Sequence, residues 1–174
     1  EGCAVPRSRI MQMERVLSFA TRFLEEVRAD ISRAKMDGTD TPPRLRSVHE
    51  RPGHATPEFR TLNIPAPDGM ELSPDVLSAV IARYAAPKRP DCLILAFEAE
   101  LDGRPVLISE ARCKFGTRLF WMQPFTLEAT HVEWDEPLHE GWRDPGDEEM
   151  ILDASFARVA VPTARVVQGQ KARR

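Results

Sequence analysis

The chain has 174 residues and a formal net charge of −3, with 42% hydrophobic and 29% charged residues. That is one domain's length, enough to bury a core, and no apolar run approaches the roughly 20 residues of a membrane-spanning helix. The charge marks neither a nucleic-acid binder nor a membrane-surface binder, and three cysteines are too few for a disulfide framework. With no visible signal peptide, the expected setting is reducing and cytoplasmic.

Residues 1–10 precede the first periodic pattern and are expected to form a disordered or non-native arm. From residue 11 to 36 the apolar residues Met13, Val16, Leu17, Ala20, Phe23, Leu24, Val27 and Ile31 recur at steps of three and four. This spacing predicts a helix with one buried face, carrying Arg15, Arg22, Glu25, Arg28 and Arg33 largely on the other. Gly38 is a natural stop.

Residues 37–72 are broken by Pro42, Pro43, Pro52, Pro57, Pro65 and Pro67, which predicts an extended segment laid along the surface. Ser73-Pro74-Asp75 predicts a helix start. Ser caps, Pro fits the first helical position, and Asp suits the positive end. Its apolar face is Val76, Leu77, Val80, Ile81 and Tyr84, and Pro87 and Pro90 end it.

Residues 91–113 predict a β-hairpin closed by Asp102-Gly103, a pair suited to a type I′ turn because both positions need positive φ. Paired residues then sum to 205. One face carries Leu93, Leu95, Phe97, Ala99, Leu101, Val106, Ile108, Glu110 and Arg112, and this is the expected core face, covered by helices. The other carries Cys92, Ile94, Ala96, Leu107 and Ala111. Two further strands follow, 117–123 and 125–134, separated at Pro124. With Arg112 opposite Thr117, Leu119 and Trp121 would stand beside Glu110. Asp147 is expected to cap a last helix through about Val159, and a basic tail, 162–174, closes the chain. The fold class is therefore α+β: a four-stranded antiparallel meander packed against the N-terminal helix and two further helices, forming a single domain over 11–161.

Glu110 is the first candidate for chemistry, because a carboxylate on a core face is costly unless paired or hydrated. Arg112, two residues on along the same face, is its expected partner. Pro90-Asp91, a hairpin, and Glu110-Ala111-Arg112 resemble the PD-(D/E)xK nuclease pattern. The resemblance covers about two dozen residues. In that family an acidic pair on a hairpin holds a divalent metal, and a Lys two residues after the second acid helps activate water, which would give those roles to Asp91, Glu110 and Arg112. Arg112 stands where the family has Lys and is a poor base. Asp91 precedes the first strand, and the meander lacks the family's alternating strands and helices.

Alternation along the last strand would set His131, Glu133 and Asp135 on one face as a second metal candidate. Cys92 and Cys113, paired by the register, are expected to be buried thiols. A phosphate-binding Gly-rich loop, a nucleophile elbow and a CxxC motif are all absent. These features point to a non-catalytic binding or protein-interaction domain with no cofactor, meeting a protein partner or a second copy of itself. The alternative is a metal-dependent hydrolase using Glu110 with Asp91 or with the His131, Glu133 and Asp135 cluster. A second alternative is a small-molecule pocket between helix 11–36 and the sheet, lined by Phe23, Phe97 and Trp121.

Overall fold

The computed structural model describes residues 7–66, 71–144 and 147–156. Among them are α1 (Arg7–Met36), β1 (Arg44–His49), β2 (Glu58–Asn63), α2 (Pro74–Lys88), β3 (Cys92–Leu101), β4 (Arg104–Cys113), β5 (Arg118–Leu127), β6 (Val132–Trp134), β7 (His139–Trp142) and a 3-10 helix at Ile151–Phe156. None of the described helices is long and apolar enough to cross a membrane. The α+β class holds. Every described strand pair is antiparallel, and the sheet order is β2-β1-β3-β4-β5-β6, with β7 also on β5. β3-β4-β5-β6 form an antiparallel meander as expected in outline, but its last two strands divide after Leu127 rather than at Pro124.

Three strands extend that meander. The Pro-rich segment supplies β1 and β2, a hairpin added beside β3. Pro42, Pro43, Pro52, Pro57 and Pro65 lie outside the two strands, where no ladder donor is missing. β1 buries Leu45 on the α2 face and Val48 on the α1 face. At the other edge, β6 pairs the end of β5 and β7 pairs its beginning. β5 runs straight through Pro124, so the expected break there is absent.

The hairpin register is as predicted, from Leu101 opposite Arg104 to Cys92 opposite Cys113. Asp102 has φ 51° and Gly103 φ 78°. The next turn is one residue longer than expected. Gly116, at φ 95°, closes it, and Cys113 N–H donates to the Thr117 carbonyl at 3.0 Å. Arg112 therefore faces Arg118, not Thr117, and Glu110 faces Phe120. A one-residue slip turns every side chain to the opposite face. Leu119 and Trp121 consequently leave Glu110 and join the Ala111 face.

Both faces of the sheet are covered, giving three layers. α1 packs on the face expected to be the lesser one. Its Val16, Ala20, Phe23, Leu24, Val27 and Ile31 share a core with Cys92, Ile94, Ala96, Leu107, Ala111, Leu119 and Phe125. Leu17, expected on the buried stripe, is exposed. The helix begins at Arg7, inside the stretch assigned to the N-terminal arm. On the opposite face, Leu45, Leu93 and Leu95 pack with Leu77, Ile81 and Ala85 of α2 and Leu152 of the 3-10 helix. The Ser73 hydroxyl accepts from the Val76 N–H at 3.3 Å, as the cap predicts. α2 passes through Pro87 and stops at Arg89, which is left-handed. The expected last helix is the 3-10 turn Ile151–Phe156. Its extension toward Val159, residues 1–6 of the expected arm and the tail 162–174 lie outside the described residues.

Candidate functional site

Glu110 is 4% exposed. One oxygen accepts from the Ile151 N–H and the other from the Leu152 N–H, each at 3.1 Å. A 3-10 helix leaves its first N–H groups without internal partners, and this carboxylate satisfies two of them from the sheet. Burial pushes the Glu110 carboxyl up from its ordinary pKa, while the two backbone donors pull it partly back.

The expected Glu110–Arg112 pair is not formed. Arg112 donates to the Asp153 carboxylate at 2.9 Å and to the Cys113 carbonyl at 2.6 Å. Arg118, 6% exposed, donates to both Asp153 oxygens at 3.1 and 2.8 Å and to the Asp144 and Glu148 carbonyls at 2.7 Å each. Burial is the largest influence on Asp153 and raises it. The Met150 N–H and the two guanidiniums together outweigh burial and hold its carboxyl below the usual range. Glu110, Arg112, Arg118 and Asp153 thus fasten the 3-10 helix to the sheet. Asp147 does not cap that helix; its carboxylate accepts from the Asp144 N–H at 2.7 Å.

Asp91 is engaged elsewhere. Its carboxylate takes the Lys114 ammonium and the Glu50 N–H, the latter at 2.6 Å. Burial raises Asp91, but these donors outweigh it and leave the carboxyl below its ordinary value. The nuclease-like pattern therefore has both acids on structural donors. His131, Glu133 and Asp135 do not converge either. β6 holds only Val132–Trp134, the His131 ring meets the Thr130 hydroxyl at 3.4 Å, and Asp135 pairs with Arg104. Among the described residues no group of three or more His, Cys, Asp or Glu is placed to hold a metal ion.

The three aromatic candidates are divided by the sheet. Phe23 and Trp121 belong to the core under α1, whereas Phe97 packs into the core under α2. Between α1 and the sheet, the space near Val27, Ile31, Ala96 and Phe97 is about 10 Å³, too small for a ligand.

A cleft does open at the edge of the same layer, between α1 and the β1–β2 hairpin. It measures about 390 Å³, and its lining includes Arg15, Phe19, Arg22, Glu26, Arg46 and Phe59. That volume falls in the range of small-ligand sites, about 300–1,000 Å³. The register explains the gathering. Arg46 stands opposite Ile94, and Phe59 opposite Val48, so both project on the α1 side. Arg15, Phe19, Arg22 and Glu26 are spaced by three and four along α1 and share one face.

Each group is held. Phe19 and Phe59 meet edge to face with centroids 5.3 Å apart, and the Arg15 guanidinium lies 5.4 Å over Phe19. Arg46 donates twice to Glu26, at 3.2 and 2.5 Å, once to the Thr61 hydroxyl at 2.8 Å, and lies 4.7 Å over Phe23. The hydrogen bond from Arg46 is the main reason that the Glu26 carboxyl sits below its ordinary pKa. Arg22 reaches Glu26 only at 3.9 Å and its side chain is 78% exposed.

Sequence reasoning missed this cleft. Arg15 and Arg22 read as the polar helix face, and Arg46 and Phe59 sat in a segment read as extended along the surface, with no pairing assigned. The available signal was the matched apolar spacing on both sides of the 50–57 turn, Leu45 and Val48 against Phe59 and Leu62, which marks a hairpin able to bring Phe59 to a helix. Compared with protein-family models, curated proteins and solved structures, the chain matches none.

Proposed function

We propose that the protein is a non-catalytic binding domain whose ligand surface is the cleft between α1 and the β1–β2 hairpin. The cleft itself carries the reading. It is a concavity of about 390 Å³ with polar and aromatic groups converging on it, while Glu110 and Asp91 are occupied by backbone and lysine donors. A reducing, cytoplasmic setting belongs to the same proposal and is supported by Cys92 and Cys113, which are buried and free. The protein partner or second copy expected from the sequence would also engage the cleft. Among the described residues the exposed apolar side chains elsewhere are scattered, with Phe115 in the turn before β5 and Leu127 at its far end.

A fragment panel read by thermal shift tests the reading. Ligands that bind only the folded state raise its melting temperature. Stabilising fragments should lose their effect in Phe59→Ala and keep it in Glu110→Gln. Fragments that survive Phe59→Ala and fail in Glu110→Gln would place the site at the sheet's other face and overturn the proposal.

A further inference from the structure

The charges of the cleft identify the kind of ligand it suits. Three guanidiniums, Arg15, Arg22 and Arg46, stand against one lining carboxylate, Glu26, a local excess of +2 on a chain of net charge −3. They are not equivalent. Arg46 is buried to 12% exposure and already gives Glu26 two hydrogen bonds. Glu26 is thereby satisfied, and its hold on Arg22, at 3.9 Å, is the weaker one. Arg15 pairs with Glu50 at the outer rim, at 2.8 Å, where both side chains are more than two-fifths exposed. Exposed pairs of that kind contribute little and exchange readily. Arg22, with Arg15 beside it, is therefore the donor set available to an incoming anion. A planar guanidinium suits carboxylate, sulfonate and phosphate oxygens through paired hydrogen bonds.

The apolar half of the cleft is next to these donors. Phe19 and Phe59 form its wall, Ala55 and Pro57 complete it, and Phe59 keeps 38% of its surface exposed. A flat aromatic body can pack against the wall that these two rings make, stacked or edge to face. We propose that this cleft binds an aromatic anion, with its ring system against Phe19 and Phe59 and its carboxylate, sulfonate or phosphate on Arg22 and Arg15. This assignment rests on the cleft being the binding surface.

The test uses two matched fluorescent probes on the full chain. One is 8-anilinonaphthalene-1-sulfonate; the other is N-phenyl-1-naphthylamine, the same ring system without the anionic group. The sulfonate should bind saturably and about tenfold more tightly than the neutral probe, and the preference should shrink as salt screens the guanidiniums. Arg22→Gln should weaken the sulfonate about tenfold and leave the neutral probe unchanged. Phe59→Ala should weaken both. Both variants change exposed side chains, so the fold persists. Equal binding of the two probes, lost in Phe59→Ala but indifferent to Arg22→Gln, would overturn the anion assignment and leave the cleft as a binding surface. Binding indifferent to Phe59→Ala would overturn both.

Discussion

Replacing Glu110 by Gln should destabilise the protein, and by less at high pH than at low pH. Glu110 satisfies two backbone donors at 3.1 Å from a site with 4% exposure. An amide keeps one acceptor and turns its NH2 toward the second N–H, so one bond is lost and one donor is left without a partner. An unsatisfied buried donor costs about 1–3 kcal/mol. Removing the charge also relieves the burial that raises the Glu110 pKa, which brings the expected loss at neutral pH to about 1–2 kcal/mol, or a melting point lower by roughly 2–8 °C for a chain of this size. The pH dependence has a definite sign. A carboxyl whose folded pKa is raised binds more protons folded than unfolded, so its contribution to stability is complete below the ordinary carboxylate pKa and declines as pH rises through the raised value. Gln does not titrate. The stability gap between wild type and Glu110→Gln, from denaturant melts between about pH 4 and pH 8, should therefore narrow as pH rises. Equal stability throughout would refute the fastening role, and a gap that widens with pH would refute the raised pKa.

Asp153 should behave in the opposite sense: its pKa is lowered, so its contribution is complete above the ordinary carboxylate pKa and is lost as pH falls through the lowered value, and Asp153→Asn should flatten the acid limb of the melting curve. Arg118→Met should cost about 3 kcal/mol, because it leaves Asp153 and two carbonyls without their main donor, and a double-mutant cycle should show coupling of about 1 kcal/mol or more between Arg118 and Asp153, with near-additivity for Glu110 and Arg112. Phe23→Ala should cost about 3–5 kcal/mol in denaturant melts, since Phe23 is fully buried under α1. Cys92 and Cys113 should resist iodoacetamide in the native protein and react after unfolding, as read by peptide mass mapping: both are buried, and burial pushes the Cys92 thiol well above its ordinary pKa.

The parts legible in the sequence were those set by local chemistry. Asp102-Gly103 dictated a two-residue turn, and from it the pairing of Cys92 with Cys113 followed residue by residue. Ser73 announced its helix through its own hydroxyl, and the stripe from Val16 to Ile31 announced the buried face of α1. The rest depended on lengths and distances that no local pattern carries. One extra turn residue, Thr117 after Gly116, moved Leu119 and Trp121 across the sheet, and α1 settled on the Ala96 face, away from Phe97. Glu110 was rightly singled out as a costly carboxylate on an apolar face. Its partners, the Ile151 and Leu152 N–H groups, are main-chain groups some forty residues away, and a side-chain pattern cannot display them. The cleft was hidden for a related reason. Arg22 and Phe59 lie in different elements, and they meet only because β1 and β2 extend the sheet beneath the flank of α1.

The most direct measurement is an amide-resolved NMR titration of the full chain with 8-anilinonaphthalene-1-sulfonate. Shifts should concentrate at Phe19, Arg22, Arg46, Thr56 and Phe59 and leave Glu110, Arg118, Ile151 and Leu152 in place. Shifts concentrated at Glu110, Arg118 and the 151–153 turn, with the α1 and β2 amides unmoved, would contradict both the cleft as binding surface and the structural role given to Glu110.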